Sequence, residues 1–308
     1  MAADKLRIIC GPTAAGKSGI ALELCEIYNA AIVSADSRQI YCGFNIGTAK
    51  PAREECARVT HYGIDVVEAD VRYSAARWAS GAAEWIESAG EIGKEAVVVG
   101  GTGLYIKALV EPLFNAPDQD PVQRAQLERE LATMSVDDLR RWCERLDPAR
   151  AHLGRTQLLR AIETALLSGT RISDLHSRDN AAKETDIDGQ KPAYLVVDPG
   201  TVLGTKIEAR VDQMLAAGWA DEVRELMRTV APDAPAWKAS GYMAMRSHVE
   251  GALDLSSATQ RVIIETRQYA KRQRTWFRNQ LPPAAVTRVN PDDPHALTIA
   301  REWWEKAE

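Results

Sequence analysis

Short apolar runs, each closed by a polar or glycine-rich turn, mark the first hundred residues. They are Leu6–Cys10, Ala31–Ser34 and Ala96–Val99. Continuous apolar runs of that length read as buried strands. Between the first two lies KSGIALELCEIY, whose apolar spacing is helical. Strands alternating with helices predict a parallel sheet with helices on its faces. Ligands bind such sheets beyond the carboxyl ends of the strands. Three loops are expected to meet there: Gly11–Ser18, Asp36–Gln39 and Gly100–Gly103.

The pattern changes between about Pro121 and Gly189. Strand signals stop, and Val122–Met134, Val136–Arg145 and Thr156–Leu167 read as helices. Ser135 with Asp138 resembles a capping box for the second, and Gly169 closes the third. The polar stretch RDNAAKETDIDGQK reads as a loop. A strand returns at Tyr194–Val197, followed by helices over Lys206–Ala217, Ala220–Met227 and roughly Ser257–Arg278. The expected layout is an α/β core from residues 1–120 and 190–308, with a helical insertion at 121–189. There are no internal repeats.

GPTAAGKS, Gly11–Ser18, fits the phosphate-loop pattern and sits between a predicted strand and a predicted helix, as its mechanism requires. Gly11 and Gly16 let the chain curl so that backbone N–H groups of Thr13, Ala14 and Ala15 point inward, backed by the positive end of a helix. Lys17 supplies a cation for a terminal phosphate and Ser18 a hydroxyl for Mg²⁺. The fold class that follows is a P-loop NTPase-like parallel sheet core flanked by helices, with a helical insertion domain. The loop recognises neighbouring phosphates, not a base. An NTPase would normally add a second strand ending in Asp to hold Mg²⁺. Here the obvious strand, Ala96–Val99, ends in Gly-Gly-Thr.

Asp36 ends the second strand, close to the phosphate loop. A carboxylate there can act as general base, assist a metal or cap a turn. Ser37, Arg38 and Gln39 suit recognition of a polar planar ligand. Thr102, among three glycines, can present a hydroxyl to the same cleft or form a simple turn.

Composition narrows the classes further. Of 308 residues 45% are hydrophobic and 26% charged, which suits an ordinary globular protein. The five cysteines form no C-x-x-C pair and group with none of the histidines, so zinc is not expected. Such a scattered set implies reduced thiols and a cytoplasmic protein. The amino terminus enters an apolar run at once, unlike a signal peptide, and no apolar run approaches the ~20 residues of a membrane span. The net charge is −5, yet Ser256–Leu281 holds six cations and one acid. Arg267, Lys271, Arg274 and Arg278 share one helical face. Like charges so placed repel unless an anion lies opposite, and an RNA backbone or a pyrophosphate would serve.

Together these segments resemble the tRNA dimethylallyltransferases, the bacterial tRNA isopentenyltransferase family. The resemblance runs nearly end to end: GPTAAGKS, DSRQIYCGFNIGTAKP (Asp36–Pro51), VVVGGTGLYIKAL (Val97–Leu109), RVDQMLAAGWADEV (Arg210–Val223) and TRQYAKRQRTWFR (Thr266–Arg278). It implies that the loop, with Arg210, holds the diphosphate of dimethylallyl diphosphate, and that Ser18 holds Mg²⁺. Asp36 would take a proton from the adenine N6 amine just 3′ of the anticodon. Lys17 and Thr102 would assist. The tRNA anticodon stem-loop would meet Asp36, Ser37, Arg38, Gln39 and Thr102, then Arg124, Gln157 and Arg160 in the insertion, then Lys271, Arg272, Arg274 and Arg278. The family commonly has Arg where this chain has Gln157, a basic residue and Glu after Gly241-Tyr242, and often Arg or Lys and an Asp within Cys42–Asn45. A monomer with no membrane contact is expected. The residues leave two alternatives. One is a small-metabolite or nucleoside kinase using the same loop; the other is a non-catalytic RNA-binding protein.

Overall fold

The computed structural model describes residues 5–111, 120–175 and 191–306. The polar stretch from Arg178 to Gln190 lies outside them. The chain divides into two compact units, residues 1–112 with 189–308, and residues 113–188.

The first unit is built on six parallel strands in the order β3-β2-β4-β1-β5-β6. They are β1 (Arg7–Cys10), β2 (Ala30–Ala35), β3 (His61–Tyr62), β4 (Glu95–Gly100), β5 (Ala193–Val197) and β6 (Val286–Val289). The four apolar runs of the sequence are the four inner strands. The two outermost strands were not anticipated.

Side chains alternate between the two faces of the sheet. Ile8, Cys10, Val33, Ala35, Val98 and Val196 enter one core. Ile9, Ile32, Val97, Val99, Leu195 and Val197 enter the other. Both faces are covered, which is why these strands read as unbroken apolar runs. On the second face lie α1 (Lys17–Ile27) and the carboxyl-terminal helix Ala296–Lys306, through Leu24, Ala300 and Trp304. On the first lie the helices Ala75–Glu91 and Gly103–Val110 and the 26-residue helix Leu255–Gln280, the basic helix of the sequence. Arg7 is a buried charge in the central strand. Its guanidinium meets Glu95 at 3.0 Å and lies 4.7 Å above the Trp304 ring, so the charge is matched.

The second unit is helical throughout its described residues apart from turns. Its helices are Pro121–Ala132, Val136–Leu146 and Arg155–Ser168. Ser135 caps the second by accepting from the Asp138 N–H at 3.2 Å. Gly169 ends the third in the left-handed conformation, φ 66°. These helices enclose a core of their own around Leu139, Leu158 and Ile162.

Between β2 and β3, the stretch that precedes the helix Arg53–Arg58 is held by side chains. Glu222, on the helix Trp219–Thr229, accepts from the backbone N–H groups of Asn45 and Ile46 at 3.0 and 2.7 Å and from the Tyr242 hydroxyl at 2.7 Å. Gly47 lies so close to Trp219 that a Cβ there would sit 2.3 Å from the indole nitrogen. Gly47→Ala should therefore cost about 1–3 kcal/mol of stability by overpacking. Gly90→Ala, in a helix with open space around it, should add roughly 0.5–1 kcal/mol. Denaturant unfolding of the two variants checks both signs.

Candidate active site

The phosphate loop leaves β1 through a residue that only glycine can supply. Gly11 has φ 146°, and a Cβ there would lie 2.1 Å from the Val197 carbonyl oxygen of β5. Ala14 and Gly16 also take positive φ, 59° and 86°, which completes the curl before α1 begins at Lys17. The Lys17 ammonium is turned back onto the loop and donates to the Pro12 carbonyl at 2.7 Å.

Asp36 follows directly on β2, and its Oδ1 accepts from the Arg38 N–H at 2.8 Å. Thr102 follows β4 after one residue, Gly101. Its N–H donates to the Ala35 carbonyl at 3.1 Å, and its hydroxyl accepts from the Ser37 N–H at 3.0 Å. The Asp36 and Thr102 loops are thereby joined. Arg210 enters from the helix Leu203–Ala216. Thr13, Asp36, Arg38 and Arg210 line one pocket, whose other wall is apolar, including Val211, Met214 and Trp219. A larger cleft of about 960 Å³ lies beyond it, and Arg210 and Met214 border both. Ser18 opens onto that cleft.

Charge is crowded here. Burial pushes the Lys17 ammonium down to about 8, Arg210 adds to the shift, and Asp36 opposes it. Burial also lowers Arg210, again opposed by Asp36. Two cations held together in a desolvated site favour an anion between them. Tyr269 shares the pocket; burial first and Asp36 second push its phenol up to about 12, so it is a neutral hydrogen-bonding group.

The other site residues expected from the sequence are placed less simply. The Gln39 amide accepts from the Ser34 hydroxyl at 2.9 Å and donates to the Thr48 and Ala49 carbonyls at 3.2 and 2.9 Å, so it holds the loop that precedes Lys50. On the basic helix, Arg274 pairs with Asp198 and Arg267 with Glu208. The anions opposite that face are thus partly the protein's own. Lys271, Arg272 and Arg278 are exposed. In the helical unit Arg124 meets Glu128 at 3.2 Å and Glu163 at 3.4 Å. Arg160 is lowered by burial and by Arg124. Gln157 accepts from the Gly154 N–H at 3.2 Å and closes the start of its helix.

No group of three His, Cys, Asp or Glu side chains suited to a metal occurs among the described residues. A lone Ser18 hydroxyl beside a phosphate loop still fits Mg²⁺, which keeps most of its waters and takes phosphate oxygens as ligands. The donor set suits a cation arriving with a diphosphate, not a resident metal.

Thr13 of the phosphate loop and the Asp36 carboxylate line one pocket together with apolar side chains, and Tyr269 of the basic helix joins them, an arrangement suited to group transfer from a phosphorylated substrate. The chain belongs to the IPP transferase family, whose model matches residues 39–280. A tRNA dimethylallyltransferase of Cyanothece sp. is 38% identical over 299 residues, covering 95% of this chain and 94% of that protein. One from Halorhodospira halophila is 41% identical over 280 residues, covering 88% and 89%. The solved full-length tRNA isopentenylpyrophosphate transferase of Bacillus halodurans is similar with a TM-score of 0.68 and 30% identity, over 99% and 98% of the two chains. A eukaryotic dimethylallyltransferase acting on tRNA shares the fold, with a TM-score of 0.74 at 22% identity over 94% of this chain and 74% of that one. No described helix is long and apolar enough to cross a membrane.

The depressed Lys17 gives a signature. An anion bound beside it raises its pKa again, so binding takes up a proton when the free ammonium is partly neutral, at and above about pH 8. Calorimetric titration with inorganic pyrophosphate in buffers of different ionisation enthalpy should show proton uptake near pH 8 and weaker affinity as pH rises further. Lys17→Met should abolish the uptake.

Proposed function

We propose that this chain transfers a dimethylallyl group from dimethylallyl diphosphate to N6 of the adenosine immediately 3′ of the anticodon in tRNA. The observation that carries this reading is the shared pocket: Asp36 and Arg210 both line it and interact electrostatically, and Val211, Met214 and Trp219 line it with them. The phosphate loop, Lys17 and Arg210 hold the diphosphate. The prenyl group lies against Val211 and Met214. The adenine, flipped out of the anticodon loop, enters on the Asp36 side, because a stacked base cannot reach such a site.

The N6 lone pair attacks the first prenyl carbon, the carbon–oxygen bond to diphosphate breaks, and the N6 proton passes to Asp36. Negative charge grows on the departing pyrophosphate, where Lys17, Arg210 and the loop N–H groups stand ready. Thr102 keeps the Asp36 loop in place by accepting from Ser37. Magnesium would be held by Ser18 and would neutralise part of the diphosphate charge. Exposed Lys271, Arg272 and Arg278, with Arg124, Gln157 and Arg160 of the helical unit, are proposed to meet the anticodon stem-loop. We further propose a monomer working in the cytoplasm.

The test is transfer of label from radioactive dimethylallyl diphosphate to an unmodified tRNA, with Mg²⁺ and without ATP. Asp36→Ala should lower turnover by roughly 10²–10⁴-fold while tRNA binding persists. Transfer by the variant at the wild-type rate would remove Asp36 from its role. No transfer by folded, tRNA-binding wild type would remove the donor.

A further inference from the structure

The basic helix carries one buried polar side chain that recognition of RNA does not explain. Gln273 stands between Arg272 and Arg274, yet it is only 6% exposed. Its Oε1 accepts from the Thr13 N–H at 2.8 Å, and its Nε2 donates to the Gly101 carbonyl at 2.8 Å. One amide therefore spans the phosphate loop and the loop of Thr102. In this arrangement the Thr13 N–H is taken up by Gln273.

The fit leaves no room on the far side. A Cβ at Gly101 would lie 2.3 Å from Gln273 Nε2, and one at Gly103 would lie 2.3 Å from the Trp276 ring. The two glycines flanking Thr102 are thus each pressed by a side chain of one helix, three residues apart. That spacing puts Gln273 and Trp276 on the same helical face. The helix grips the glycine–threonine loop, and the Gln273 amide ties that loop to the phosphate loop.

We infer that Gln273 is a positioning residue that sets the phosphate loop in register with the Thr102–Asp36 side of the pocket. This rests on the transfer reading above. The phosphate loop fixes the donor carbon through its diphosphate; the joined Asp36 and Thr102 loops fix the acceptor nitrogen and its proton. Displacement requires the two to be aligned, and a shift of ~1 Å in such an alignment costs on the order of 100-fold in rate. A neutral amide suits the task, since it must accept at one end and donate at the other.

The experiment compares single-turnover transfer by full-length wild type, Gln273→Met and Gln273→Glu, with donor and tRNA both saturating. Gln273→Met keeps the length and loses both bonds. Gln273→Glu keeps the acceptor for Thr13 and, when ionised, loses the donor to Gly101. The expected result is a loss of about 100-fold in the saturated rate for Met and a smaller loss for Glu, with both KM values within about 3-fold of wild type. Gly101→Ala, which pushes on Nε2 from the other side, should show the same split. A saturated rate near wild type in folded Gln273→Met, or a defect confined to KM for tRNA, would overturn the inference. If Gln273→Met does not fold, Gln273→Glu and Gly101→Ala decide by the same criterion. Transfer by wild type with no effect of the variants overturns this inference alone. No transfer by wild type overturns it together with the reading it rests on.

Discussion

The α-carbon of Gly11 presses against the Val197 carbonyl of the neighbouring strand, with no space for a Cβ between them. That contact sets where the phosphate loop turns, and everything chemical in the core is arranged around it. The four inner strands are covered on both faces, and from them Ile32, Ser34 and Val99 border the large cleft. Function is left to the residues just beyond their carboxyl ends: the loop after β1, Asp36 after β2 and Thr102 after β4. The helix Leu203–Ala216 adds Arg210, and the basic helix adds Tyr269 and Gln273. Two desolvated cations against one carboxylate leave positive charge uncompensated, which a diphosphate would offset.

Much of this was legible in the sequence because the signals are local. The phosphate loop is eight contiguous residues with an obligatory strand before it and helix after it. The four inner strands are unbroken apolar runs because the sheet is covered twice. The outer strands escaped for the opposite reason. His61–Tyr62 is two residues long, and Val286–Val289 carries an exposed Arg288 at the sheet edge. Helix ends differ from the sequence pattern by at most three residues: the start at Val136 coincides, while the helix expected over Ser257–Arg278 spans Leu255–Gln280.

What sequence spacing could not show is which polar residues face inward. The basic helix reads as four cations on one face, and a chain pattern carries no record of Glu208 or Asp198 standing opposite two of them. Gln39 reads as a base-reading residue, while its amide holds the backbone of Thr48 and Ala49. Gln273 is hidden most completely, since a glutamine among arginines looks like solvent-facing surface. Its significance depends on two loops separated from it by 260 and 172 residues. The glycines of the 100–103 turn did carry a trace of it, because two of them exist to admit Gln273 and Trp276.

The central claim is that this phosphate loop serves a prenyl diphosphate and not a nucleoside triphosphate. The direct measurement is competitive calorimetry with Mg²⁺, titrating a non-reactive thio analogue of dimethylallyl diphosphate, inorganic pyrophosphate and ATP into the same protein. The account predicts that the analogue binds more tightly than pyrophosphate, because its five-carbon group enters the apolar wall of the pocket, and that ATP binds more weakly than the analogue and is not hydrolysed. ATP binding tightest, with turnover, would contradict it.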